Sequence, residues 1–145
     1  MDKRLYCVVP VFNPCRYESR IKLYKEFEKY VNDSGAILVV VEAVQHKRDH
    51  ILTVESNNFH FQYRTDSHLW IKERLINLVM RQLPSDWYYM CWLDADIKWA
   101  RDDWANETVE LLQHYEVIQM FDKAIDLDPL HSVKHTPVLL RMRWN

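Results

Sequence analysis

Two aspartates one residue apart, Asp94 and Asp96, stand at the end of the apolar run Trp87-Tyr88-Tyr89-Met90-Cys91-Trp92-Leu93. Carboxylates are hard oxygen ligands that suit Mg²⁺ or Mn²⁺, and an ion held this way can itself hold a diphosphate. The run reads as a strand buried on both faces. Alternation along an extended chain then sends both aspartates to one side. The open edge of a parallel sheet is where ligands usually bind. Spacing alone carries little weight, because the chain has 12 aspartates and roughly one Asp-x-Asp is expected by chance. A second copy, Asp126-Leu127-Asp128, follows no clean strand and leads into Pro129, where a turn accounts for it. Context selects the first copy.

The elements that must position these carboxylates alternate in type. Leu5 to Val11 is an apolar strand ending in Pro10-Val11-Phe12-Asn13-Pro14, whose prolines force a turn. Tyr17, Ile21, Tyr24, Phe27 and Val31 recur at helical spacing, and Asn32-Asp33-Ser34-Gly35 stops that helix. Ala36 to Val44 is a second buried strand, interrupted by Glu42, and Phe59 to Tyr63 a third. Asp66 or Ser67 caps a helix that runs to about Leu83, and Pro84-Ser85-Asp86 leads into the strand carrying Asp94. Asp102 or Asp103 caps another helix through about His114, and Val117 to Phe121 reads as a further short strand. Strands alternating with helices, with no hairpin signal, predict an α/β fold with a mostly parallel sheet flanked by helices. The loops holding Asn13, Glu42 and the Asp94–Asp96 pair then gather along one edge.

Composition narrows the function. The 145 residues predict a single domain. The net charge of −2, with both signs interspersed, offers no footprint for nucleic acid and no polybasic patch for a membrane. No apolar run is long enough to span a bilayer. Cys7, Cys15 and Cys91 lack metal-ligand spacing and suit a reducing compartment. Asp2, Lys3 and Arg4 followed by a short apolar segment do not make a signal-peptide core, so the expected location is cytoplasmic. Gly35 is the only glycine, which excludes the glycine-rich turns of a dinucleotide fingerprint or a P-loop. A bound nucleotide must be held in another way.

Four segments in order resemble the nucleotide-binding half of GT-A-fold glycosyltransferases, of the family 2 and β-1,4-galactosyltransferase types. Pro10-Val11-Phe12-Asn13 looks like the end of their first strand, where the donor nucleotide is clasped. Leu38-Val39-Val40-Val41-Glu42 is similar to their second strand, and Lys72-Glu73-Arg74-Leu75-Ile76-Asn77 to a helix start, with Lys72 at an arginine's position. Trp92-Leu93-Asp94-Ala95-Asp96 matches the Asp-x-Asp strand. The likeness covers roughly residues 5 to 120. It implies a nucleotide-diphosphate sugar donor, most often a UDP-sugar, and Mn²⁺ or Mg²⁺. By that pattern Asp94 contacts the ribose and Asp96 ligates the metal bridging the phosphates. Such an ion stabilises the diphosphate leaving group as a Lewis acid.

For other residues two readings stand side by side. Glu42 is either an acid reaching water at a strand end or an acceptor for base or ribose. Lys72 either meets a phosphate at a helix start or belongs to a solvated face. Trp99 has the weakest core phase of the tryptophans between Trp87 and Trp104, and is the candidate for stacking on a sugar ring. His131 and His135 are four apart between prolines, and are either loop residues or a late addition to the metal site. The family's acceptor-binding half, which supplies the catalytic base, has no counterpart here, and no base can be assigned. The reading is a single GT-A-like domain that is either a form truncated after about residue 121, a minimal enzyme or a donor-binding remnant, with a missing C-terminal region or a partner chain as the alternative sources of the acceptor half. The acceptor, a glycan or glycoconjugate, is undefined. The alternative is a non-catalytic nucleotide-sugar-binding module.

Overall fold

The computed structural model describes residues 3–69 and 71–127. Four strands form one sheet: β1 (Leu5–Phe12), β2 (Ile37–Gln45), β3 (His60–Thr65) and β4 (Tyr89–Trp92). Every pairing is parallel and the order is β3-β2-β1-β4. Three helices accompany it: α1 (Glu18–Asp33), α2 (Lys72–Met80) and α3 (Trp104–Leu112). The fold is therefore α/β with a parallel sheet flanked by helices, as the alternation of elements predicts. The chain divides into two compact units, residues 1–110 and 111–145. No helix among the described residues is long and apolar enough to cross a membrane.

β1 and β2 are central and fully apolar until their ends, and their side chains alternate between two layers. Tyr6 and Val8 of β1, with Ile37, Val39, Val41 and Ala43 of β2, pack against Leu75, Ile76 and Val79 of α2. The opposite parity carries Cys7, Val9, Leu38 and Val40, all buried. Tyr24, Phe27 and Val31 of α1, the helix that joins β1 to β2, are buried too. The chain moves outward from β1 to β3 and then returns across β1 to reach β4. Right-handed crossovers in opposite directions put α1 and α2 on opposite faces.

The helix ends follow local chemistry. Ser34 and Gly35 donate their N–H groups to Val31 and Asn32, and Gly35 adopts φ +81°, the left-handed stop that glycine makes without strain. α2 begins later than its capping signal predicts. The Ser67 N–H bonds to Thr65 Oγ1 and the Leu69 N–H to Ser67 Oγ, so the polar residues expected to cap the helix build a turn before it.

Two strand expectations need correction. β4 is short and lies at the end of the strand order, so it is not buried on both faces. Tyr89, Cys91 and Leu93 are buried while Trp92 is 54% exposed. Apolar composition cannot distinguish an edge strand rich in aromatics from a central one. Residues 117–121 form no strand: Val117 is 83% exposed, and Phe121 O accepts from the Gln119 side chain.

Candidate functional site at the C-terminal edge of the sheet

All four strands point the same way, so their following loops share one edge. The order reverses between β1 and β4, and such a reversal opens a crevice at the C-terminal ends of parallel strands. Pro10 shapes this point. Leu93 donates its N–H to Val8 O, so the β1 groups at position 8, and by alternation at position 10, face β4. Proline has no N–H, so the ladder cannot continue. The β1–β4 register ends at Val8↔Trp92. Asp94 is thereby released from the sheet, and the chain turns at Ala95–Asp96. That turn removes Asp96 from the strict alternation expected of an extended chain.

Met90 and Trp92 pair with Tyr6 and Val8, whose side chains face α2. Asp94 continues that parity. A crossover helix runs antiparallel to its strands, so the N-terminus of α2 lies at the same edge. There Lys72 Nζ forms an ion pair with Asp94 Oδ1. No side chain caps the N-terminus of α2, which leaves N–H donors directed at this edge. Asp96 is exposed and forms no hydrogen bond or ion pair with a described residue.

Asn13 and Glu42 reach the same edge, but both side chains bind the chain's own backbone. Asn13 Oδ1 accepts from the Tyr17 N–H at 3.1 Å while Asn13 Nδ2 donates to Tyr17 O at 3.0 Å. The amide thus closes the loop into α1. Glu42 is 4% exposed. Its Oε1 accepts from Ile51 N at 2.9 Å, and Oε2 accepts from Leu52 N, Thr53 N and Thr53 Oγ1 at 2.8–3.0 Å. The connection from β2 to β3 contains no helix, so its N–H groups lack intrahelical acceptors. A buried carboxylate supplies them. Of the two readings of Glu42, the exposed strand-end acid is excluded, and the acceptor's partners are three backbone amides and the Thr53 hydroxyl of this chain. A recess at the ends of β1 and β2 is lined by Val11, Asn13, Arg16, Glu42, Arg48 and neighbouring residues; Asp94 and Asp96 do not line it. Pro10 and Phe12 remain within β1, opposite Val41 and Ala43.

Trp99 lies in a stack of rings: its centroid is 5.8 Å from that of Trp104, which is 6.3 Å from that of Tyr30. Trp92, one of the tryptophans whose strand and helix phase points to the core, is instead exposed and lies on the parity of Asp94. Its signal was its position two residues before that carboxylate. Arg16 and Arg48, missed in the sequence, have no motif to reveal them. Asp128, His131 and His135 lie outside the described residues.

A Mg²⁺ or Mn²⁺ ion takes one or two protein carboxylates when substrate phosphates and water complete its shell. Asp96, exposed and unengaged, supplies one such carboxylate; Asp94, two residues earlier, is paired with Lys72. No group of three or more metal-binding side chains occurs among the described residues. No protein-family model, curated protein or solved structure matches the chain.

Proposed function

We propose that this chain is the donor-binding domain of a GT-A-like, metal-dependent glycosyltransferase that takes a nucleotide-diphosphate sugar, with a UDP-sugar favoured. The observation that carries the reading is the meeting of Lys72 with Asp94 at the strand-order reversal, beside an unengaged Asp96. Asp96 would hold the divalent ion, with Asp94 next to it. That ion would neutralise charge on the departing diphosphate. Lys72 orients Asp94 in the free protein and offers a cation to a phosphate oxygen in the complex. The amides at the start of α2 add donors for the same anion. Trp92 presents an indole face on that side, suited to the apolar face of a sugar ring.

A second reading is a nucleotide-sugar-binding module without transfer activity. It is favoured by the absence, among the described residues, of a third metal-binding side chain beside Asp94 and Asp96. Both readings predict metal-dependent binding of UDP, and only the first predicts turnover. The test is a thermal-shift panel of UDP, GDP, CMP and their sugars, with and without Mn²⁺, followed by a donor-hydrolysis assay. Binding at a hundred times the dissociation constant stabilises by about 2.7 kcal/mol, a readily measured shift. If no nucleotide raises the melting temperature with Mn²⁺ present, both readings fail. Binding without hydrolysis or transfer leaves the second.

A further inference from the structure

We propose that Arg16 and Arg48 form a metal-independent phosphate-binding site at the mouth of the recess between the β1 and β2 loops. The two arginines are cross-tethered. Arg16 of the first loop donates to Asp49 O of the second at 2.9 Å, and Arg48 of the second loop donates to Pro14 O of the first. Arg64 of β3 buttresses them, donating to His46 O at 2.9 Å and Arg48 O at 2.7 Å. All three guanidinium groups bind only backbone carbonyls and form no ion pair with a described carboxylate. Most of their N–H donors remain available in a fixed fork that matches a phosphate.

The surrounding charge favours an anion. Lys47 is exposed beside them. Asp49 lines the same recess and offsets part of that positive charge; the other nearby carboxylates are Asp66 and Glu42. Asp66 faces His46 Nδ1 at 3.1 Å, and Glu42 is enclosed by the amides of 51–53. Backbone strain converges on the same place. Arg16 (φ 53°) and His46 (φ 50°) are the only described non-glycine residues with positive φ, one in each loop. Such conformations persist where the surrounding structure enforces them, and they cluster at ligand sites. The tethers pre-organise the arginines, so binding loses little side-chain entropy.

The site stands apart from the proposed metal-held donor, because it requires no divalent ion and Asp96 does not line it. The test titrates inorganic pyrophosphate, inorganic phosphate and a nucleoside monophosphate into the whole chain in EDTA, followed calorimetrically at two salt concentrations. Pyrophosphate is expected to bind, and to bind more weakly at the higher salt. Preference for the monophosphate would identify a nucleotide's phosphate as the ligand; equal binding of inorganic phosphate would identify the phosphate group alone. Arg16→Gln/Arg48→Gln should lose at least tenfold in affinity, whereas Asp96→Ala should bind as the wild type does. Phenylglyoxal labelling of the unmutated chain gives an independent readout, with Arg16 and Arg48 protected by pyrophosphate and Arg20 not. Failure of folded wild-type protein to bind pyrophosphate, or labelling that ignores it, overturns the proposal.

Discussion

Lys72 and Asp94 are twenty-two positions apart, and only the return of the chain across β1 brings them together. As a partly exposed pair they contribute little to stability, typically less than about 1 kcal/mol. Lys72→Ala should therefore barely change the urea midpoint, yet weaken UDP binding with Mn²⁺ by about tenfold, since a charge-assisted contact of about 1.4 kcal/mol is removed. Equal binding by variant and wild type would assign Lys72 a purely structural role. Glu42 is the opposite case. Glu42→Gln places an amide among donors that need an acceptor, so denaturant unfolding should show a loss of about 2–3 kcal/mol. Amide exchange at Ile51, Leu52 and Thr53 should accelerate most. His60 gives the pH signature. Burial lowers its pKa, and its Nδ1 accepts the Val54 N–H at 3.1 Å, a bond that protonation would remove. A depressed pKa contributes stability that is present above the unfolded value near 6.5 and lost as pH falls through the folded one. Melting temperature should drop below about pH 6.5, with a shallower slope in His60→Gln. Parallel slopes in the two proteins would assign the drop to other groups.

At the scale of elements, legibility tracks the range of the forces involved. β1, β2 and α1 could be read from the sequence because continuous Val and Ile runs and a 3.6-residue period are local signals. Gly35 was legible for the same reason. Replacing it with alanine should cost about 1 kcal/mol through the left-handed φ alone, because nothing lies within 4 Å of an added Cβ. Gly35→Asn should cost less, and equal losses would show that the φ does not decide. The edge status of β4 was not legible, because strand order fixes it. The role of Glu42 depends on backbone amides about ten positions later, and amides leave no mark in a sequence. Pro10 was read as part of a turn; within the sheet it stops a ladder instead. Residues 117–121 show that a short apolar run signals burial without fixing an extended, paired backbone.

At the scale of the whole molecule, one parallel sheet brings Asn13, Glu42, Lys72 and Asp94 to a common edge and divides their work. Asn13 and Glu42 fasten the loops after β1 and β2, while Asp94 and Lys72 meet by the reversal between β1 and β4. On the two proposals, phosphate-binding sites would flank the ends of the central strands, the arginines on one side of β1 and the Lys72–Asp94 pair on the other. The central claim is that Asp96 carries a divalent ion only in company with a diphosphate. Electron paramagnetic resonance of Mn²⁺ tests it directly. The signal of free Mn²⁺ should fall when UDP and the wild-type chain are combined, beyond the loss caused by UDP alone, and Asp96→Ala should abolish that extra loss. Free Mn²⁺ unchanged by the wild-type chain in the presence of UDP, or an Asp96→Ala protein that takes up the ion equally well, would contradict the account.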